Sequence, residues 1–159
     1  VTDYRKFNEL SIYWEADDIP CKGRLDRLVD NGNELLVLDL KTTDSVDHHT
    51  FQKKVTGGMN YLFQAAWYAE AASLAYEKPA KFIFIAIERA EPWTTALFEV
   101  SDEMMLEGNR QIKRARQLLS ECLKTKEWPS PEVRYNVLDL PSWYQSPVSE
   151  YRPEFEDLF

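Results

Sequence analysis

Two carboxylates and one lysine carry the chemistry this sequence can offer: Asp26, Asp39 and Lys41, the last two separated by a single leucine. Carboxylates brought within a few ångströms of each other repel, and charge taken out of water needs a partner or a metal. A hard divalent cation with oxygen ligands resolves that repulsion and suits phosphoryl chemistry. A lysine beside one ligand can hold or polarise a water, or stabilise charge developing on a phosphoryl oxygen. The competing reading is an ion-pair ladder on the solvated face of a hairpin, and D-x-K alone does not decide between the two.

The elements that must position these residues are two strand-like runs, Cys21–Asp30 and Leu35–Lys41, on either side of the hairpin signal Asn31-Gly32-Asn33. Side chains alternate faces along a strand. Leu36, Leu38 and Leu40 therefore share one face, and Leu35, Val37, Asp39 and Lys41 the other; in the first run Lys22, Arg24 and Asp26 fall together. Aligning the polar faces crowds Asp26, Asp39, Lys41 and Arg24 at one spot. Thr42 and Thr43 follow, either ending the strand as β-branched residues do or offering hydroxyls to a phosphate. Phe51–Tyr76 has helical composition interrupted at Gly57-Gly58, and residues three and four apart set Tyr61, Gln64, Ala65 and Tyr68 on one stripe. That stripe is either an amphipathic core face or the means of bringing Gln64 to a water or phosphate.

Taken in order, Gly23-Arg24-Leu25-Asp26, Leu38-Asp39-Leu40-Lys41-Thr42-Thr43 and Gln64-Ala65-Ala66-Trp67-Tyr68 resemble the PD-(D/E)XK nuclease superfamily, in the pattern of its RecB-like and exonuclease branches. Within those branches the chain is most similar to the RecE type, exodeoxyribonuclease VIII, related to lambda exonuclease. Glu121–Pro129 resembles the segment after that family's last long helix, and the similarity runs from about Pro20 to Trp143. Each motif is weak alone; the ordered set is specific.

The resemblance implies an α/β fold, the PD-(D/E)XK core with a mixed central β-sheet flanked by helices. It implies an exonuclease domain over residues 1–145 and an acidic tail over 146–159. Asp26, Asp39, Lys41 and Gln64 would be catalytic. Asp26, Asp39 and the backbone carbonyl of Leu40 would hold Mg²⁺, for which Mn²⁺ can substitute, and Arg24, Thr42, Thr43, Tyr61 and Tyr68 would contact substrate. The implied activity removes the 5′ strand of linear double-stranded DNA and leaves 3′ overhangs for recombination. The implied partners are DNA ends, further copies in a ring-shaped homo-oligomer, and a single-strand annealing protein. One departure is clear. The family's histidine upstream of the hairpin has no counterpart, because His48 and His49 both follow it; either this chain lacks the residue or its N-terminus is truncated. The alternatives are a RecB-like or structure-specific nuclease of the same fold, and a non-catalytic DNA-binding domain.

Composition agrees with one globular domain: 159 residues, 44% hydrophobic and 29% charged. No run approaches the ~20 apolar residues of a membrane span, and VTDYRKFNEL lacks a signal core, so a cytoplasmic location without membrane contact is expected. Cys21 and Cys122 form no C-x-x-C pair and are expected reduced. The net charge of −8 counts against tight non-specific binding to duplex DNA, though not against a local basic groove.

Residues 1–10 read as the end of a helix, and Leu10–Glu15 as a strand on which Glu15 is a further candidate carboxylate. Phe82–Ile87 is the continuous apolar run of a strand buried on both faces, with Thr94–Val100 beside it. Ser101 caps a helix that runs to about Thr125, with Met105, Ile112, Leu119 and Gly108, Ala115, Cys122 as its apolar face and Lys113, Arg114 and Arg116 on a solvated one. Pro141-Ser142-Trp143-Tyr144 reads as an anchor within an extended tail.

Overall fold

The computed structural model describes residues 4–130 and 137–141. The chain divides into two compact units, Val1–Glu127 and Trp128–Phe159. The site residues all lie in the first. The 146–159 tail and Ser142-Trp143-Tyr144 lie outside the described residues.

The first unit is a mixed five-stranded sheet with three helices: β1 (Arg5–Ala16), β2 (Ile19–Asp30), β3 (Leu35–Thr43), α1 (His48–Thr56), α2 (Tyr61–Tyr76), β4 (Ala80–Glu88), β5 (Thr95–Glu99) and α3 (Asp102–Thr125). Strand order follows chain order, β1-β2-β3-β4-β5. β3 and β4 pair in parallel, joined by the α1–α2 crossover, and every other neighbouring pair is antiparallel. The α/β architecture expected from the sequence is the one observed.

The hairpin between β2 and β3 turns where the sequence places it. Gly32 takes φ 96°, open to glycine at little cost, and Asn31 Oδ1 accepts the amides of Asn33 and Glu34. Asp30 Oδ1 accepts the Gly32 amide at 2.9 Å. Alternation along β3 follows: Leu35, Val37 and Asp39 are buried, while Leu40 is 52% exposed. α1 ends at Gly57 and α2 begins after Asn60, so the predicted interruption stands. Ser101 caps α3, accepting the Met104 amide at 3.3 Å.

Three expectations are corrected. Residues 5–10 belong to β1 rather than to a helix, paired along β2 from Arg5↔Asp30. β4 is buried on one face only: Phe82, Phe84 and Ala86 are inside, whereas Ile83, Ile85 and Ile87 are partly exposed. The core explains this, because Phe82, Phe84, Leu35 and Val37 pack with Phe51, Val55, Leu62 and Ala65 of α1 and α2 on that same side. Arg116 is buried, not solvated. It pairs with Glu70 of α2 at 2.5 Å while its guanidinium lies 4.9 Å from the Trp67 ring. The buried stripe of α3 is accordingly Gly108, Ile112, Arg116 and Cys122, with Ala115 and Leu119 left exposed.

Two contacts fix where α2 sits. A Cβ on Gly108 would stand 2.6 Å from the Ala66 Cβ and 2.8 Å from the Leu62 carbonyl oxygen, so only glycine lets α3 approach α2 this closely. Glu70 is shared: it accepts the Trp14 indole N–H at 3.2 Å and takes both Arg116 terminal nitrogens. β1, α2 and α3 are thereby tied at one carboxylate, which anchors the helix carrying Gln64.

Candidate active site

The β2–β3 ladder runs from Asp30↔Leu35 to Arg27↔Leu38 and stops. One further step sets Asp26 across from Asp39, and there the two strands part in a fork. Instead of a backbone partner, the Leu40 amide donates to Asp26 Oδ2 at 2.9 Å. The N–H and C=O of one strand residue leave by the same edge, so the Leu40 carbonyl faces the fork as well.

β2 is irregular at this same point. Its pairing with β1 skips Glu9–Asp26, where Glu9 adopts φ 51°. The burial phase shifts across the skip: Cys21 and Leu25 are inside before it, Leu28 and Asp30 after it. Asp26 is thus turned toward β3. Arg24, expected beside the carboxylates, instead pairs with Glu9 at 2.7 Å, both side chains exposed. Lys22, Arg24 and Asp26, expected to fall together on one face, divide: Lys22 and Arg24 are exposed, while Asp26 is half-buried and takes the Leu40 amide.

Asp39 is 2% exposed. Its Oδ1 accepts the Gln64 side-chain amide at 3.2 Å. Its Oδ2 pairs with the Lys41 ammonium. Burial pushes the Asp39 carboxyl above the usual carboxylate range; Lys41 opposes this and the Asp26 charge adds to it. Lys41 is itself confined, its Nζ lying 4.9 Å from the centre of the Tyr61 ring. Tyr61 in turn packs against Phe84.

Asp26, Asp39, Lys41 and Gln64 therefore meet at the fork, while other nominated residues are placed differently. Thr43 is buried, its hydroxyl donating to the Ser45 carbonyl at 3.1 Å and accepting from Lys54 at 2.9 Å, so it holds the strand end and is closed to substrate. Thr42 is exposed. Tyr68 lies over Gly23, whose missing Cβ would stand 3.3 Å from the tyrosine ring. Glu15 is exposed opposite Pro20, far along the β1–β2 ribbon from the fork. His48 and His49 are exposed at the start of α1. Both cysteines are buried and free.

No group of three or more His, Cys, Asp and Glu side chains able to hold a metal occurs among the described residues. The fork instead offers two opposed carboxylates and a carbonyl. The mutual repulsion of Asp26 and buried Asp39, which the single Lys41 ammonium only partly offsets, is what a cation would relieve. An all-oxygen set with few protein ligands suits Mg²⁺, which keeps several waters and binds substrate phosphates. The residues present fit such an ion.

Sequence reasoning missed three participants. Glu9 was lost with the misread N-terminal strand, and only the β1–β2 register reveals it opposite Asp26. Trp67 was quoted only within a motif, although it lies three residues beyond Gln64 on a neighbouring helical position. The Glu70–Arg116 pair spans 46 residues, beyond any local signal.

No curated protein matches the chain by sequence. Among solved structures, the chain is similar to a proposed exonuclease from Eubacterium rectale, with a TM-score of 0.64 and 16% identity over 85% of this chain and 54% of that one. The chain thus spans about half the length of that protein, and the likeness is one of fold. A second structure, that of SSO0001, aligns at a TM-score of 0.41 with 18% identity over 66% of this chain and 48% of that one, too distant to bear on the assignment. A model of the family described as "PDDEXK-like domain of unknown function (DUF3799)" matches residues 6–136, most of the chain, and the protein belongs to that family.

Proposed function

We propose that the protein is a metal-dependent DNA nuclease, and more narrowly a RecE-type exonuclease that removes the 5′ strand of linear duplex DNA and leaves 3′ overhangs. The observation that carries the reading is the meeting of two carboxylates where β2 and β3 part: buried Asp39, with the Lys41 ammonium beside it, set across from Asp26. Two carboxylates brought this close, with one ammonium beside Asp39, leave negative charge that a divalent cation would offset.

Asp26, Asp39 and the Leu40 carbonyl would hold Mg²⁺, or Mn²⁺ in its place. When bound, the ion supplies Lewis acidity toward the scissile phosphate and lowers the pKa of a coordinated water. Lys41, confined between the Asp39 carboxylate and the Tyr61 ring, presents its ammonium where an attacking water or a phosphoryl oxygen would lie. Gln64 fixes the rotamer of Asp39 through its amide. Tyr61 limits the reach of Lys41, and exposed Arg24 and Thr42 are available to the DNA backbone.

The net charge of −8 favours local over global attraction to DNA. A ring of several copies around the duplex would concentrate modest local charges in a shared channel, and a single-strand annealing protein would take up the product. No helix among the described residues is long and apolar enough to cross a membrane.

The test uses linear duplex DNA labelled at either 5′ end, phosphorylated or not, with Mg²⁺ or EDTA. Mononucleotide release from the 5′ label only with Mg²⁺ is expected. Release from the 3′ end alone would replace the polarity and keep the nuclease; absence of cleavage under every condition would overturn both.

A further inference from the structure

The geometry points to a second element of the same site: a cleft between β2 and the first half of α2 that binds an unpaired nucleotide of single-stranded DNA, its base against aromatic rings and its phosphate at Lys22. This deepens the nuclease reading and rests on it. The cleft has a volume of about 480 Å³ and is lined by Tyr13, Lys22, Arg24, Phe63, Gln64 and Trp67, among others. That volume falls within the range of small-ligand pockets. Gln64 is the link to the fork, because the residue that lines the cleft also donates to Asp39.

The aromatic wall is rigid. The Trp67 indole N–H donates to the Lys22 carbonyl at 3.1 Å. Phe63 stacks on Trp67 with ring centres 5.9 Å apart and planes at 18°, and Trp14 lies 5.0 Å away. A surface already fixed in this way loses little conformational freedom when a base stacks on it. Tyr13 is 77% exposed, an unusual setting for a ring with a purely structural role. Directly across the β1–β2 ladder from Tyr13 stands Lys22, and across from Ser11 stands Arg24. The Lys22 ammonium makes no ion pair among the described residues. Arg24 is paired with Glu9, which leaves Lys22 as the free cation of the cleft. Aromatic faces beside a free cation are the pattern that holds single strands, since every base has a π-face while the phosphate supplies the charge. Bases inside a duplex keep those faces stacked on one another. The chain would therefore engage a strand whose terminal nucleotides have separated from their complement.

The experiment uses the full chain and a fluorescein-labelled oligothymidylate of about ten nucleotides, with anisotropy read in EDTA so that nothing is cleaved. Tyr13→Ala and Lys22→Ala, both at exposed positions, are each expected to weaken binding about tenfold. Lys22→Ala should also reduce the salt dependence by about one phosphate contact. Oligonucleotides carrying 5-iodouracil should cross-link to the peptides containing Tyr13, Phe63 or Trp67. Unchanged affinity in both variants, no binding by the wild type, or cross-links confined to other peptides would each overturn the assignment. Cleavage of labelled duplex with Mg²⁺ is measured separately on the wild type. Binding through the cleft without cleavage keeps this inference and removes the nuclease; cleavage with cross-links elsewhere does the reverse.

Discussion

Two buried aspartates lie on the two strands of this hairpin, Asp30 at its turn and Asp39 one step past the end of its ladder, and they have opposite fates. Asp30, 5% exposed at the turn, is saturated: Oδ1 accepts the Gly32 amide, and Lys78 donates to both oxygens at 2.8 Å. Lys78 and that amide hold its carboxyl below the usual range. Asp39, 2% exposed at the fork, also has a lysine beside it, yet burial and the Asp26 charge hold its carboxyl above the range. The difference lies in how donors and burial balance: at Asp30 the donors win, at Asp39 burial does, with a second carboxylate across the fork. Asp30 is a carboxylate the fold has finished with; Asp39 is one of a pair still short of positive charge.

Exchanging the two residues' properties tests this contrast most severely. Asp39→Asn should lower Mg²⁺-dependent cleavage on the order of a thousandfold, the scale of several kcal/mol of charge stabilisation. The metal-free variant should still fold, and its melting temperature reports the loss of the Lys41 ion pair separately from the loss of cleavage. Mg²⁺ should raise the melting temperature of the wild type and leave the variant unmoved. A variant that still cleaves would place the chemistry elsewhere.

Acidity separates the pair next. Asp39 has a raised folded value, so the metal-free fold loses stability as pH rises through it, and metal must displace a proton below it. Mg²⁺ affinity measured by calorimetry should therefore fall about tenfold per pH unit below that value. Asp30 has the opposite sign: its contribution is present above the ordinary carboxylate value and is lost as pH falls through the depressed one. An affinity that does not begin to fall until pH reaches the ordinary carboxylate value would contradict the state assigned to Asp39.

Gln64→Ala should reduce turnover about tenfold, the scale of one hydrogen bond to a charged group, with Mg²⁺ affinity lowered alongside. Gln64→Glu should do worse, since it adds a third carboxylate. If Gln64→Ala melts far below wild type instead, the amide is structural. The smallest effect on activity belongs to Asp30→Asn, which should lower the melting temperature while cleavage per folded molecule stays unchanged.

Much of the fork was legible in the sequence. Asn31-Gly32 sets the turn, the turn sets the register, and two-residue alternation then buries Asp39 on the same side as Val37. The helix break at Gly57 and the Ser101 cap are equally local signals. What stayed hidden depends on partners distant in sequence. Arg5–Glu9 is open to misreading as a helix end because most of its side chains are exposed and give no alternation; its strand character comes from lying along β2. Arg116 looks like a solvent residue until Glu70 arrives from another helix. Arg24 falls in the right motif, but the left-handed Glu9 and the shifted phase of β2 carry it away from Asp26.

The parallel β3–β4 pairing has a bearing on when this site comes into being. β2 and β3 are a hairpin and can find each other early, bringing both carboxylates together through a short turn. β4 reaches β3 only after the whole α1–α2 crossover has been laid down, from Thr43 to Ala80, and such non-local closures are slow steps in folding. Gln64 rides on that crossover and Lys41 is held against a ring from it. A chain emerging during synthesis would hold its acidic pair long before the residues that orient it. Competence is thus the last property the fold acquires, and a half-made copy has the ligands without the means to use them.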